Sequence, residues 1–129
     1  MAEPIVYIDR SEIREGKLDA VKAAIGELAQ FIEANVPRAI SYGVYLDETG
    51  RKMTVVQIQP DSAAMEFHMK VGGPAFAKFR DLIKLTAIEV YGDPSAHLLK
   101  QLEEKAAMLG GGGIAVYTFQ GGFTRFGGE

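Results

Sequence analysis

The chain has 129 residues, 47% of them hydrophobic and 24% charged, the proportions of a globular protein rather than a disordered one. With 14 Lys+Arg against 17 Asp+Glu, a net charge of -3 and no run of more than two adjacent basic residues, it lacks a phosphate-tracking surface, so nucleic acid is not an expected partner. Cysteine is absent, which excludes disulfides, thiolate metal sites and cysteine nucleophiles.

Residues 1–129 read as one domain, with 121–129 as a glycine-rich tail. The start, Met1 to Arg10, carries Glu3, Pro4 and Asp9 in place of the basic and continuously apolar segments of a signal peptide. No apolar run approaches the ~18 residues that span a bilayer. The expectation is a cytoplasmic protein with no membrane contact.

Pro4 to Arg10 is β-branched and aromatic and reads as a first strand buried on both faces. From Lys17 to Val36, Leu18, Val21, Ile25, Leu28 and Ile32 recur at alternating intervals of three and four, which predicts an amphipathic helix ended by Asn35 and Pro37. Arg38 to Asp47 and Lys52 to Pro60 read as a hairpin turned through Glu48 to Arg51. A four-residue loop sets Tyr42 opposite Gln57 and Val44 opposite Val55 on one face, with Gly43, Tyr45, Val56 and Ile58 on the other.

Asp61, or Ser62 beside it, is a candidate N-cap for a helix over Ala63 to Val71 that carries Met65, His68 and Met69 on one face. Gly72-Gly73-Pro74 then predicts a break, with a second helical piece from Ala75 to Ile83 bearing Phe76, Phe79 and Leu82. Leu85 to Tyr91 reads as a strand, Ser95 to Leu109 as a helix with Leu98, Leu102, Ala106 and Leu109 on one stripe, and Ile114 to Gln120 as a last strand. The order is β-α-β-β-α-β with an added α-β: an α+β, ferredoxin-like fold with an antiparallel sheet, of a size that leaves apolar surface for a second subunit to cover. The expected partner is therefore a second copy of the chain. Gly110 to Gly113 follows a helix and opens a strand, the reverse of a phosphate-cradling loop, so it reads as a hinge or C-cap. Phe123 and Phe126 in the tail favour packing on a partner subunit over a free end.

Among residues that carry chemistry, His68 is the polar group on the Met65/Met69 face, read either as a general acid-base or as a core-edge histidine with one hydrogen bond. Tyr42 and Gln57 are its candidate orienting and ligand-binding partners, and Met65 and Phe79 belong to an adaptable apolar lining that reads equally as core. His97 reads as solvated surface, and Arg38 and Arg80 as surface ion-pair partners. No spacing of His with Asp or Glu forms a metal signature, and no cofactor motif is present.

The element order from Ile5 to Gln120, and the stretch VVQIQPDSAAMEFHMKVGGPAFAKFRDLI from Val55 to Ile83, resemble the antibiotic-biosynthesis-monooxygenase-like domain of the dimeric α+β barrel superfamily. The resemblance implies two ferredoxin-like sheets packed into a barrel, with a cavity between sheet and helices in each protomer. Some members oxygenate aromatic polyketides without a cofactor, others degrade haem, and many have no known activity. This chain has no tryptophan, so the one those oxygenases and haem degraders hold near the helix is missing. Phe79 and Arg80 stand where haem degraders supply the iron-binding histidine. The functional expectation is a small-molecule-binding protein, with cofactor-independent monooxygenation of a small hydrophobic or aromatic compound as its enzymatic form. The alternative is a non-catalytic dimeric ligand-binding or interaction protein.

Overall fold

The computed structural model describes residues 3–126; the tail's last three positions, 127–129, lie outside the described residues. Chain order is β1 (Ile5–Ile13), α1 (Leu18–Asn35), β2 (Ser41–Leu46), β3 (Lys52–Gln59), α2 (Ser62–Phe76) with a 3-10 turn at Ala77–Phe79, β4 (Ile83–Tyr91), α3 (Ala96–Met108) and β5 (Gly113–Tyr117). The sheet runs β2-β3-β1-β4-β5. Its first four strands pair antiparallel in the ferredoxin-like arrangement. The fifth strand lies parallel to β4, so the sheet is mostly, not wholly, antiparallel. A parallel neighbour needs a crossover, and α3 supplies it.

The helix-facing side of the sheet is built by alternation. Ile5, Tyr7, Asp9 and Ser11 of β1 and Met53, Val55, Gln57 and Gln59 of β3 are buried, while Val6 and Ile8 between them are half-buried, which corrects the expectation that β1 is covered on both faces. Against this layer α1 sets Val21, Leu28 and Ile32, α2 sets Met65, Met69 and Phe76, and α3 sets Leu98, Leu102 and Ala106. On β4 a bulge keeps the face in step. Arg10 pairs with Ala87 and Ser11 with Leu85, leaving Thr86 as the extra residue, whose hydroxyl donates to the Arg10 carbonyl at 3.0 Å. Leu85 and Ile88, three positions apart, are therefore both buried.

The hairpin has the expected register, with Tyr42 opposite Gln57 and Val44 opposite Val55. Asp47 fixes the turn by accepting from the Arg51 and Lys52 amides at 3.0 Å each, and Gly50 takes φ 70°. Asp61 caps α2 by accepting from the Ala64 amide at 2.8 Å and also holds Arg38 at 2.8 Å. The run Gly110 to Gly112 ends α3 at φ 113°, 86° and 148°, and the Gly111 amide reaches back to the Ala106 carbonyl.

The predicted break at Gly72-Gly73-Pro74 is absent: α2 continues through it to Phe76, and Ile83 belongs to β4 rather than to a helical piece. Packing overrides the local signal. A Cβ at Gly72 would stand 2.7 Å from the Phe76 ring, so the glycine is the seat of that ring rather than a breaker. Pro74 lies in the last turn, where its missing N–H removes a single intrahelical bond. At Gly26 in α1, by contrast, an added Cβ meets nothing within 4 Å. Gly26→Ala is expected to stabilise the protein by about 0.5–1 kcal/mol through helix propensity. Gly72→Ala is expected to destabilise it by about 1–3 kcal/mol through overpacking, both read from urea unfolding midpoints.

Candidate functional site

Seven polar side chains interrupt the helix-facing core. Asp9, Ser11, Gln57, Gln59, His68 and Lys105 are all buried, and Tyr7 with them. Strand register puts Tyr42, Gln57 and Tyr7 in one row across β2, β3 and β1. That row joins two polar groups, one on each side.

The first group centres on Lys105, which α3 points inward on the same stripe as Leu98 and Leu102. Its ammonium donates to the Tyr7 hydroxyl at 2.8 Å and to Asp9 Oδ2 at 3.0 Å, and Tyr7 donates to the same Oδ2 at 2.6 Å. The pair is only 7% and 4% exposed at the side chains. The ammonium also lies 4.4 Å from the Phe76 ring centroid and 4.9 Å from that of Tyr7. Burial, then the Asp9 charge, raises the Tyr7 hydroxyl well above its usual range, so it is a neutral donor. Tyr42 is raised in the same way, by burial first and Asp9 second.

The second group centres on His68 of α2. Gln59 Nε2 donates to Gln57 Oε1 at 3.0 Å, and Gln57 Nε2 stands 3.2 Å from His68 Nε2, an order that makes the imidazole nitrogen the acceptor. Tyr42 and Phe76 flank the imidazole with ring centroids at 5.9 and 5.4 Å. Burial, assisted by the Lys105 charge, pushes the His68 pKa down to about 3, so the ring is neutral and a weak base. Among the described residues, Nδ1 has no hydrogen-bond partner.

A cavity of about 30 Å³ lies beside Asp9, Ser11, Tyr42 and Lys105, bordered by apolar walls that include Phe76, Phe79 and Leu85. This is room for one or two water molecules. Ser11 Oγ, on the cavity wall, has no protein partner. Of the residues singled out in the sequence, Tyr42 and Phe79 line the cavity; Gln57 and His68 are bonded to each other behind it, and Met65 is fully buried in the core. His97 is exposed, as expected, and borders a separate groove between α2 and α3.

Asp9 and Lys105 escaped the sequence reading, although a signal existed for each. Asp9 shares the inward period-two positions of Ile5 and Tyr7, and Lys105 falls seven residues after Leu98 and three after Leu102. Read singly, each looks like a surface charge; only the tertiary pairing explains both. Chemically the site offers a carboxylate acceptor, an ammonium donor and two neutral phenols, one of them already donating to the carboxylate.

No protein-family model matches the sequence, and no curated protein matches it. Solved structures do. MupZ from Pseudomonas fluorescens superposes with TM-score 0.73 at 17% identity over 95% of each chain, leaving too few residues uncovered to omit α3 and β5. SnoaB, a cofactor-independent oxygenase from Streptomyces nogalater, covers 74% of this chain and 97% of its own at TM-score 0.61 and 12% identity. A candidate antibiotic biosynthesis monooxygenase from Chloroflexus aurantiacus J-10-fl covers 68% of this chain and 90% of its own at TM-score 0.58 and 20% identity. The chain has the antibiotic-biosynthesis-monooxygenase-like fold. In this fold the buried polar row lies between sheet and helices, where the resemblance implied a cavity. Among the described residues, no helix is long and apolar enough to cross a membrane.

The His68 environment has a measurable consequence. A histidine held at about 3 when folded and near 6.5 when unfolded contributes stability that is fully present above about pH 6.5 and is lost as pH falls towards 3. The wild type is expected to lose stability with falling pH more steeply than His68→Gln, by about 1 kcal/mol per pH unit between pH 6 and 4, in urea unfolding at fixed salt. Parallel slopes would show that His68 is not buried in its neutral form.

Proposed function

We propose that the protein binds a small hydrophobic or aromatic molecule at the Asp9–Tyr7–Lys105 centre and, as an enzyme, oxygenates it without a cofactor. One observation carries this reading: a fully buried carboxylate–ammonium pair stands on the wall of a cavity, under a sheet-and-helix fold shared with a cofactor-independent oxygenase. Reactions of this class need a substrate that gives up a proton and then electrons to oxygen. An activated methylene reacts with O2 to give a ketone and water, the substrate supplying both hydrogens and both electron pairs. Asp9 is the proton acceptor in this reading, Lys105 and Tyr42 hold the resulting oxyanion, and Tyr7 keeps its O–H on Asp9. Phe79 is part of the apolar lining, Met65 supports it from the core, and Gln57 and His68 orient Tyr42 from behind.

The test is oxygen uptake with an anthrone, an aromatic with an acidic methylene, in metal-free buffer without added cofactor. The wild type is expected to accelerate uptake, and Asp9→Asn to reduce the enzymatic rate by a factor on the order of 10²–10⁴. His68→Ala separates the two assignments of the base. A loss as large as that of Asp9→Asn would return the proton transfer to His68, and a loss at least 10-fold smaller would leave it with Asp9, with His68 as a positioning residue. No acceleration by wild type with any activated aromatic methylene would leave the non-catalytic reading, which the small cavity volume favours.

We further propose a homodimer formed through the sheet face opposite the helices. That face carries half-buried Val6, Ile8, Val56 and Ile58 together with exposed Tyr45 and Tyr117, an apolar stretch that a second copy would cover. A cytoplasmic setting agrees with the absence of cysteine. Sedimentation equilibrium is expected to give twice the chain mass for wild type and the single-chain mass for Val56→Lys. A monomeric wild type at micromolar concentration would remove the dimer.

A further inference from the structure

The Lys105 ammonium has three N–H donors, and two are used by Tyr7 and Asp9. What lies over it on the remaining side is the Phe76 ring, 4.4 Å away at its centroid. Phe76 and Lys105 have a second property in common: both line the inner cavity, and both also line the groove of about 770 Å³ between α2 and α3. These two side chains are the partition between groove and cavity.

The partition stands at the C-terminal end of α2. Pro74 leaves the last turn of α2 short of one backbone hydrogen bond, and the helix passes into the 3-10 turn directly after Phe76. Phe76 is also seated on a glycine, Gly72, rather than locked behind a side chain. The groove itself offers an apolar bed in Phe67, Met69 and Met108, with Phe67 47% exposed. Its carboxylates, Glu66 and Glu104, offset Lys70 and Lys105 on the same walls, so the groove as a whole does not favour a multiply charged anion, and Glu66 is already engaged by the Ser95 hydroxyl.

We infer that the α2–α3 groove is the binding site for a singly acidic amphipathic molecule, an apolar or aromatic body bearing one carboxylate, phenolate or enolate, whose oxygen takes the third N–H of Lys105 when the Phe76 ring swings aside. The inference rests on Lys105 being the centre of the proposed site, and it names the side from which the ligand arrives and the charge it carries. Phe76 occupies the position of the ligand's acidic group in the closed state, and a cation–π contact is exchanged for a charge-assisted hydrogen bond.

The experiment uses two probes of the same aromatic body: 8-anilinonaphthalene-1-sulfonate, which carries one anionic group, and N-phenyl-1-naphthylamine, which carries none. Wild type is expected to bind the sulfonate at least 10-fold more tightly than the neutral probe, and Lys105→Met to abolish that preference. Because a misfolded Lys105→Met would also lose it, the second measurement keeps Lys105. The chain has no native cysteine, so Glu104→Cys provides one thiol, on the groove wall. Labelling it with a bulky maleimide is expected to weaken sulfonate binding at least 10-fold relative to the same protein unlabelled. Equal affinity for the two probes in wild type overturns the inference. Lys105-dependent binding that the adduct leaves unchanged overturns the groove as the way in and leaves the proposed site standing. Affinities that neither Lys105→Met nor the adduct alters overturn both.

Discussion

Asp9 and Lys105 are separated by 96 positions in the chain and by 3.0 Å in the fold, and that contact ties the polar centre of β1 to α3. Removing a carboxylate and an ammonium from water costs several kcal/mol per ion, and their attraction offsets it only when the geometry is good and the remaining hydrogen-bonding capacity is used. Tyr7 supplies what the pair lacks, donating to the carboxylate and accepting from the ammonium. The price of this triangle is that both strand and helix must hold their registers. A one-residue slip in β1 would turn Asp9 to the open face and leave Lys105 buried alone. The bulge at Thr86, which keeps β4 in step with β1 on the helix side, protects the same register from the other flank.

The parts of this architecture that are legible in the sequence are those fixed by local rules. The three-four spacing of Leu18, Val21, Ile25, Leu28 and Ile32 places α1, the capping carboxylate of Asp61 places the start of α2, and loop length sets Tyr42 opposite Gln57. What is not legible is fixed by contacts between distant segments. Gly72-Gly73-Pro74 has the composition of a helix stop, yet the burial of Phe76 one turn beyond Gly72 holds the segment helical. β5 alongside β4 is visible only as a strand, since nothing in Gly113–Tyr117 states that its partner runs parallel.

The candidate site divides along the same line. His68, Gln57 and Tyr42 are recognisable because each is a polar residue at an inward position of an element with a clear period, and the fold does bring the three together. Their joint environment is not recognisable, because the depressed pKa of His68 comes from burial and from a lysine on another helix. A histidine is the conspicuous titratable group in a sequence with two of them, whereas one aspartate and one lysine among 31 charged residues are not. The tertiary structure reverses that weighting by making His68 neutral and leaving the charge with Asp9 and Lys105.

Stability alone does not account for the polar row. A buried ion pair is commonly no more stabilising than well-packed apolar residues of the same volume put in place of both partners. Among the described residues, Ser11 Oγ, Gln59 Oε1 and His68 Nδ1 of this row are buried without protein partners. A core selected for stability would shed these atoms. A core in which a carboxylate, an ammonium and two phenols must meet a ligand's oxygen in a dry space would keep them, because only there is a donor worth several times what it is in water. The Ser11 hydroxyl on the cavity wall and the Lys105 N–H beneath the Phe76 ring both stand where the proposed ligand's oxygen would come.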